Sequence, residues 1–573
     1  MRISLGAVLF FDTLTRMKDL YAHYTDGGVL PRGAFLNLWS NDWFFSLHTA
    51  SGNFYFEAAL FAITLIFALF LMFGYRTKLS TIISWILLIS VQNRNPIIMH
   101  GGDIIFRATL FWGMFLPLGS RYSADRILER TARPKKKLLF SAATFAYVIQ
   151  ISIFYIFSGF LKNGELWKNG QAIFYALSLD QFARKIGTFL LQFPALLSVM
   201  TLSVLYFERF GALLFFSPKK TGPIRTVGVL LFALMQVGIN MSMHLGYFGA
   251  VSIAVTLALL PPWFWDTLFV RVRKFFTMRG RTGLEIYYDG DCGFCKKIAH
   301  ILPKAFLLSK ETKIAMTQEN PYALSIMKQR NSWVVIDTKK NNKLYTEWGG
   351  ITAVLSYSPL FFPLAYISEF LDLIYVGPLI YRLIARNRSM VCIPFQEKSS
   401  RNKWLLYING TFVVLMAIYI TLWNIGTLKK GKALPRSLEP IGWVTRMDQS
   451  FDLFAPYPTL EDGWYVIPGT LRNGAEIDVA RDGGPVDYKK PDNVYATFHD
   501  VRWQKYLINL WRADYSQYRL YYGKYLCRHW NNNHPPEEAL EKFSITYMLE
   551  KTLPPGEEPQ IAPKIIWNHE CFK

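Results

Sequence analysis

The chain has little charge, little cysteine and no internal repeat. Charged residues make up 18% of its 573 residues, against about 25% in ordinary soluble domains, which argues against a single water-soluble enzyme. Five cysteines in a chain of this length cannot form a disulfide scaffold. No period of about 20 to 50 residues recurs, so a repeat array is excluded. The composition also excludes a disordered chain and a coiled coil.

Apolar residues, by contrast, are abundant and collected in blocks. They make up 51% of the chain, and the mean hydropathy is +0.17. A helix needs about 20 mostly apolar residues to cross a hydrocarbon core about 30 Å thick. Eight stretches meet this requirement: 53–75, 79–99, 102–120, 138–161, 189–216, 226–246, 247–264 and 404–427. A ninth, Ile3–Tyr21, carries charged residues and either spans or lies along the interface. We therefore predict a polytopic α-helical membrane bundle of eight or nine spans.

The basic residues follow a pattern along the chain. Lysine and arginine total 63 and aspartate and glutamate 41, a formal net charge of +22. Basic clusters fall in alternate loops, at 76–78, 121–137, 219–225 and 271–281, and such loops face the cytoplasm in membrane proteins. This predicts a cytoplasmic N-terminus, residues 265–403 in the cytoplasm and residues 428–573 outside. The alternative, that these are merely solvated loops, predicts no alternation. The charge thus indicates topology and no nucleic-acid partner.

A small α/β domain is predicted between the last two of these spans. Residues 284–288 and 332–337 are typical of strands, and residues 292–302 of a helix. Residues 353–385 are apolar but interrupted by three prolines. We interpret this last stretch as amphipathic helices packed on the domain or on the membrane surface, and not as a span.

Cys292 and Cys295 form a dithiol at a strand-to-helix junction of this domain. The helix N-terminus would stabilise a thiolate at Cys292 and leave Cys295 as the resolving thiol. The negative charges of Asp289 and Asp291 oppose that thiolate unless they are turned aside. Two alternatives stay open: inert thiols, and half of a zinc site, for which only His300 is within reach.

Three runs around the dithiol carry a resemblance to a known family. They are Asp289-Gly290-Asp291-Cys292-Gly293-Phe294-Cys295, Trp348-Gly349-Gly350-Ile351 and Tyr381-Arg382-Leu383-Ile384-Ala385-Arg386-Asn387-Arg388. With them, residues 284–398 resemble the DCC family of thiol-disulfide oxidoreductases. The resemblance implies an inserted, cytoplasmic, thioredoxin-like α/β domain with Cys292 and Cys295 as its catalytic pair.

Polar groups inside the apolar blocks are candidates for function, because they are costly in hydrocarbon. They are Glu57, Arg107, Gln150, Glu208, Arg209, Gln236, Asn240 and His244, and for most of them a structural hydrogen-bonding role is the simpler interpretation. Lys162 differs, because it ends a long apolar helix near the predicted outer surface. It either snorkels to the headgroups or points into the bundle, where desolvation favours a neutral amine that can act as a base.

A second set of runs surrounds Lys162. They are His100-Gly101-Gly102-Asp103, Pro117-Leu118-Gly119, Ser158-Gly159-Phe160-Leu161-Lys162 with Trp167 and Gly170, and His244-Leu245-Gly246-Tyr247-Phe248. They are similar to the HTTM family, which includes vitamin K-dependent carboxylases. The resemblance implies that Lys162 deprotonates a reduced, vitamin K-like quinone, which oxygen converts to a strong base that prepares glutamate for addition of CO2. A general base in a dry site suits a quinol. The candidate substrate-binding residues are His100, Asp103, Trp167, Asn240 and His244; no metal ion is predicted.

Residues 428–573 differ from the rest of the chain in being rich in Trp, Tyr, Pro and Gly. Alternating runs such as Trp464–Ile467 predict a compact extracytoplasmic domain with β content. Runs at 448–451, 454–456 and 502–506 look like the C-terminal part of bacterial HTTM proteins. Because the predicted compartment is oxidising, we expect a disulfide between Cys527 and Cys571, with two free thiols as the alternative. Cys392 is left over and is expected to be buried and inert.

These features divide the chain into four parts. They are a transmembrane domain at 1–270, the dithiol domain at 284–398, a last span at 404–427 and the outer domain at 428–573. The leading hypothesis is a carboxylase-like enzyme of a bacterial inner membrane in which Lys162 acts on a quinol-type or lipidic substrate. Its partners would be the lipid bilayer, that small molecule and an exported peptide or protein. The alternatives are a membrane-anchored thiol-disulfide oxidoreductase and a non-catalytic transporter or peptide-maturation scaffold.

Overall fold

The computed structural model describes residues 1–39, 41, 43–120, 122–128, 141–277, 282–309, 311–386, 403–428, 433–554 and 556–572. Outside these ranges lie Cys392, Arg121, the basic run 130–137, Arg279, Arg281, Asn387, Arg388 and the predicted end of the dithiol domain. The chain divides into two compact units. The first contains Met1–Leu118, Leu139–Leu260 and Asn402–Lys573, and the second contains Gly119–Leu138 and Pro261–Arg401.

Helices and strands are numbered here in chain order. The helices before residue 130 are α1 (Arg2–Lys18), α2 (Leu20–Tyr24), α3 (Arg32–Leu38), α4 (Phe54–Phe73), α5 (Thr77–Arg94), α6 (Gly101–Gly113) and α7 (Ala124–Leu128). Up to residue 277 there follow α8 (Ala142–Leu161), α9 (Glu165–Lys168), α10 (Ala172–Leu177), α11 (Lys185–Leu190), α12 (Pro194–Phe210), α13 (Thr221–Ser242), α14 (Phe248–Leu257) and α15 (Pro262–Thr277). The later helices are α16 (Gly293–Ala305), α17 (Pro321–Arg330), α18 (Glu347–Ser356), α19 (Pro363–Leu373), α20 (Val376–Arg386), α21 (Lys403–Leu428), α22 (Glu439–Thr445), α23 (Val501–Trp511) and α24 (Arg519–Asn531). The strands are β1 (Leu284–Tyr288), β2 (Lys313–Met316), β3 (Val334–Asp337), β4 (Lys343–Thr346), β5 (Glu461–Val466), β6 (Pro468–Leu471), β7 (Glu476–Asp478), β8 (Leu540–Lys551) and β9 (Gln560–Glu570).

Several helices have the length and composition of membrane spans. Within the described ranges, five are long and apolar enough to cross a membrane: Phe54–Phe73, Ala142–Leu161, Pro194–Phe216, Thr221–Ser242 and Tyr407–Leu428. The number rises to seven if each of two bent helix pairs counts as one span. The membrane-type helical core is therefore present, whereas the number of eight or nine spans stays a prediction.

Two of the predicted spans, 79–99 and 102–120, coincide with helices that are polar or short. α5 buries Ser84, Gln92 and Asn93. α6 has 13 residues and rises about 20 Å, which is less than the hydrocarbon thickness of about 30 Å. The polar side chains of α5 are buried inside the protein, so these apolar runs indicate burial as readily as a span.

Local sequence explains where the apolar helices α4 and α8 begin. The Asn53 side chain accepts a hydrogen bond from Tyr55 N at 2.9 Å, which caps α4. Ser141 and Thr144 form a reciprocal capping box at the start of α8. Gly74 follows α4 with φ of 71°, the left-handed conformation that glycine adopts at a helix end.

An antiparallel sheet of five strands forms the tail of the first unit. Its order is β5-β8-β6-β7, and β9 also pairs with β8. β5 confirms the strand predicted at Trp464–Ile467. Trp464 and Tyr506 pack in the same apolar cluster as Tyr24, Leu30 and Ile98. The tail and the first hundred residues therefore share one core, although the sequence predicted a separate domain from residue 428.

The second unit contains a mixed sheet of four strands in the order β2-β1-β3-β4. β1 is parallel to β2 and antiparallel to β3, and β3 is antiparallel to β4. The predicted strands at 284–288 and 332–337 are confirmed as β1 and β3, and α16 begins directly after Cys292, as predicted. Ile286, Val335 and Val354 lie in one core. α18, α19 and α20 occupy the stretch predicted to form amphipathic helices, and α19 and α20 expose many apolar side chains.

Candidate active site around Lys162

Lys162 directly follows α8, and its side chain is enclosed within the first unit. Only 5% of the residue is exposed. Its Nζ donates hydrogen bonds to Ser158 Oγ at 2.7 Å and to the carboxylate of Glu208. The centroid of the Trp167 ring lies 5.3 Å from Nζ. The amine is therefore held in a buried polar cluster and is not extended into bulk water.

The end of α12 holds this cluster against α8. Arg209, next to Glu208, donates from Nε to Gly159 O and from Nη2 to Lys162 O, each at 2.9 Å. These carbonyls lie at the C-terminal end of α8, where intrahelical donors are missing. A Cβ on Gly159 would lie 2.7 Å from Arg209 N, so the close approach of the two helices requires glycine.

The tail secures the loop that follows Lys162. Trp167 Nε1 donates to Phe454 O at 2.9 Å, and Gly164 N donates to Pro456 O at 3.0 Å. The run 454–456, noted in the sequence, is thus part of the surroundings of Lys162. These contacts fix the Trp167 ring beside the amine.

A cavity of about 1180 Å³ lies beside the cluster and is lined by Lys162, Glu208, Ser158 and Trp167. Small-molecule sites commonly have volumes of about 300–1,000 Å³, so this cavity has room for a long molecule or for two ligands. Its wall is largely apolar and includes Phe154, Met200, Val204, Met235, Ile239 and Phe451. The cavity thus combines one charged cluster with a wide apolar surface.

His100 and Asp103 were predicted to bind substrate; they contact each other at the start of α6, where His100 N donates to the Asp103 carboxylate at 2.9 Å, and only His100 lines the cavity. His100 lines the cavity and caps α6, accepting a hydrogen bond from Gly102 N at 3.0 Å through Nδ1. Asp103 is fully buried; its carboxylate lies 2.7 Å from Arg16 and 2.6 Å from Arg502. Asp103 therefore joins helices within an ionic network.

Among the residues that the structure describes, the cavity lining includes His100 and Trp167 but not Asp103, Asn240 or His244. The His244 ring stacks on that of Tyr495, with centroids 3.6 Å apart. A Cβ at Gly249 would lie 1.9 Å from Asn240 Nδ2, so the Asn240 side chain packs against α14. Of the five predicted substrate-binding residues, the structure thus brings two to the cavity.

Two further polar side chains at the cavity had no assigned role in the sequence reasoning. Glu208 was noted as one polar group among several, but nothing in the sequence paired it with Lys162. Lys505, in α23, lines the same cavity. The sequence contained only one hint of a role for Lys505, its place in the run 502–506. That run could not show that the side chain faces a cavity.

The dithiol lies at the start of α16 in the second unit. Cys292 is the capping residue, and its Sγ accepts a hydrogen bond from Cys295 N at 3.2 Å. Both cysteines are partly exposed. Gln318 Nε2 donates to the carboxylates of Asp289, at 3.5 Å, and Asp291, at 3.3 Å. One amide thus contacts both carboxylates that flank the start of the dithiol motif.

The remaining predicted pair, Cys527 and Cys571, is joined by a disulfide in the tail, with Cα atoms 5.5 Å apart. It connects α24 to the end of β9. Within the described ranges, no group of three or more His, Cys, Asp or Glu side chains is arranged to hold a metal ion.

No protein-family model, curated protein or solved structure matches this chain.

Proposed function

We propose that the protein is a membrane-embedded, carboxylase-like enzyme in which Lys162 acts as a base on a quinol-type or lipidic substrate. The observation that carries this proposal is the buried Lys162–Glu208 pair in the wall of a large apolar cavity. General base catalysis requires a group within hydrogen-bonding reach of the substrate proton, in a site that excludes water. The burial of Lys162 and its place in the cavity wall support such a role.

Glu208 alters the charge state that the sequence argument assumed. A carboxylate beside a lysine favours the ammonium form, so the resting site holds an ion pair. Transfer of the proton from Lys162 to Glu208 turns the ion pair into two neutral groups. Because charges are costly in an apolar site, this transfer costs less there than in water. The neutral amine then accepts a proton from a substrate hydroxyl, while Ser158 Oγ holds Nζ in place. Lys162 and Glu208 thus act together.

The lining of the cavity fits an apolar ring or chain. Phe154, Phe451 and Phe454 supply aromatic surface to it. A reduced quinone bound there would supply an acidic hydroxyl and a redox-active ring. The residues of this chain would exclude water, direct the hydroxyl towards Lys162 Nζ and hold the released proton.

We further propose that the second unit is a thioredoxin-like, thiol-disulfide oxidoreductase domain. The support is the strand order β2-β1-β3-β4, in which β3 runs opposite to the other three strands. The dithiol at the N-terminus of α16 provides the second support, because this position stabilises a thiolate. Cys292 would attack a disulfide and Cys295 would resolve the mixed disulfide.

The proposed location is a bacterial inner membrane, with the tail outside and the dithiol domain in the cytoplasm. The tail contacts Ile97 and His244, which follow α5 and α13. Arg76 and Lys220 precede these two helices, at their opposite ends. Because basic loops face the cytoplasm, this distribution supports an outer tail. A disulfide in the tail agrees with an oxidising compartment.

A turnover assay on the full chain in lipid nanodiscs tests the proposal. The substrates are reduced menaquinone, oxygen, labelled CO2 and a glutamate-containing peptide, and a small disulfide is assayed separately. We expect Lys162→Met to lower quinol turnover by about 100-fold or more, and Cys292→Ser to abolish only disulfide reduction. Lys168→Met, at an exposed lysine of α9, is the matched control.

The same variants separate the alternatives. Disulfide reduction that depends on Cys292, with no turnover that depends on Lys162, favours a membrane-anchored oxidoreductase. Insensitivity of every measured activity to both changes favours a transporter or maturation scaffold.

A further inference from the structure

Lys505 is a second amine at the cavity, and its surroundings differ from those of Lys162. The residue lies in α23, is half-buried and lines the cavity wall. Asp452, Glu461 and Arg512 also line the cavity, but among the described residues no carboxylate forms an ion pair with Lys505 Nζ, whereas Glu208 pairs with Lys162. Burial lowers the pKa of Lys505; Arg512 lowers it further, and Asp452 opposes this shift. An amine so placed is costly unless a partner or a ligand compensates it.

The backbone at Lys505 is held by its neighbours in α23. Arg502 forms ion pairs with Asp103, at 2.6 Å, and Asp12, at 2.9 Å. Gln504 Nε2 donates a hydrogen bond to Gln181 O. Because these contacts hold α23 just before Lys505, the backbone from which its side chain reaches the cavity is fixed.

The rest of the cavity determines which ligand suits this amine. Met200 and Val204 of α12, and Met235 and Ile239 of α13, line it together. Residues four apart lie on one face of a helix, so each helix presents an apolar strip to the cavity. A chain-like apolar group fits between these strips. The volume of about 1180 Å³ exceeds that of common ligand sites and leaves room for a polar end.

We propose that Lys505 binds the anionic headgroup of an amphiphile whose apolar chain lies between α12 and α13. The inference rests on the proposed function only for the reaction at Lys162; binding at Lys505 is measured without turnover. A lysine is a suitable partner for carboxylate or phosphate, because it provides a compact charge with three donors.

Equilibrium binding of a dansyl-labelled undecanoic acid to the full chain, in phosphatidylcholine nanodiscs, tests this inference. Dodecanoate, dodecyl phosphate and dodecanol serve as competitors. We expect Lys505→Gln to weaken binding at least tenfold and Lys505→Arg to retain it. Lys542→Gln, at an exposed lysine of β8, should have no effect, and Lys162→Gln should change binding less than threefold. The relative affinities of dodecanoate and dodecyl phosphate identify the preferred acid.

Several outcomes overturn the inference. They are no binding to the wild-type chain, equal displacement by dodecanol and dodecanoate, and unchanged binding in Lys505→Gln. The comparison of dodecanol with dodecanoate needs no variant, so it stands even if Lys505→Gln fails to fold. If turnover did not depend on Lys162 but the acid still bound, the proposed reaction would be excluded and the proposed binding site at Lys505 would stand.

Discussion

Lys162 and Glu208 are buried together, and each is the charged partner of the other. Removing one member of a buried ion pair leaves an uncompensated charge and costs about 3–5 kcal/mol, whereas replacing both by apolar residues is often neutral. The stability of the bundle around the end of α8 should therefore depend on the pair as a unit.

Lys162→Met and Glu208→Leu are each expected to lower the free energy of unfolding by about 3–5 kcal/mol. The double variant should recover most of this loss, since no buried charge is left unpaired. Thermal unfolding in detergent provides the measurement, and Lys168→Met, at an exposed lysine, is the control. Additive losses in the double variant would contradict the pairing.

Asp462 is the second residue whose charge matters, because it is buried in β5 beside other carboxylates. Its oxygens accept hydrogen bonds from Gly463 N at 2.8 Å and Gln181 N at 3.2 Å. Burial raises the pKa of Asp462 to about 7, and the charges of Asp180 and Glu550 add to this increase. The folded chain therefore keeps this proton up to about pH 7, whereas the unfolded chain releases it near pH 3.8.

The contribution of Asp462 to stability should fall as pH rises through this window, because the unfolded state binds fewer protons than the folded state. The decline is at most about 1.4 kcal/mol per pH unit. Between pH 5 and pH 8, the melting temperature of the wild type should fall more than that of Asp462→Asn. Asp482→Asn, at an exposed turn position, should follow the wild type. Parallel curves for Asp462→Asn and wild type would refute this assignment.

At the scale of elements, α23 docks the tail onto α1 and α6. Arg502 in α23 forms ion pairs with Asp12 of α1 and Asp103 of α6. Arg16 pairs with the same two carboxylates, at 2.8 and 2.7 Å. All four side chains are almost completely buried, so their charges balance one another inside the first unit.

Arg502→Gln is expected to destabilise the first unit by about 3–5 kcal/mol, because it leaves two carboxylates to share one arginine. Arg502→Lys should lose part of this amount, since an ammonium cannot reproduce the fork of hydrogen bonds. Melting temperature and the rate of limited proteolysis of the tail are the measurements. Arg436→Gln, at an exposed arginine, is the control and should match the wild type. If Arg502→Gln and Arg436→Gln had equal effects, the role of Arg502 in docking the tail would be excluded.

The sequence best predicted those helices and strands whose residue pattern is determined by residues close by in the chain. The alternation at 284–288 and the long apolar run of α8 each indicated the correct element. Hydropathy does not distinguish a side chain facing lipid from one facing protein, so the spans predicted over α5 and α6 stay predictions. The Lys162–Glu208 pair joins residues 46 positions apart, and the direction of Lys505 depends on the packing of the tail. Neither was encoded locally.

At the scale of the whole molecule, the proposed topology separates two kinds of cysteine. Cys527 and Cys571 are joined in the tail, whereas Cys292 and Cys295 lie at the start of α16 in the other unit. An outer tail and a cytoplasmic dithiol domain therefore predict different access to reagents that cannot cross a membrane.

In intact bacterial cells, a membrane-impermeant maleimide should leave Cys292 unmodified, while a permeant maleimide labels it. The wild-type tail should stay unlabelled until it is reduced. A Lys542→Cys variant in the tail, at an exposed position, should react with the impermeant reagent and thus serve as the positive control. Labelling of Cys292 by the impermeant reagent would reverse the proposed orientation.

The cavity wall combines residues made early and late in synthesis. Ser158 and Met200 belong to the first half of the chain, whereas Phe451, Lys505 and Tyr547 belong to the last quarter. Until the tail has been synthesised, the apolar helices therefore lack the residues that complete this wall. A chain that ends before Tyr547 would contain the apolar helices but lack part of the cavity wall.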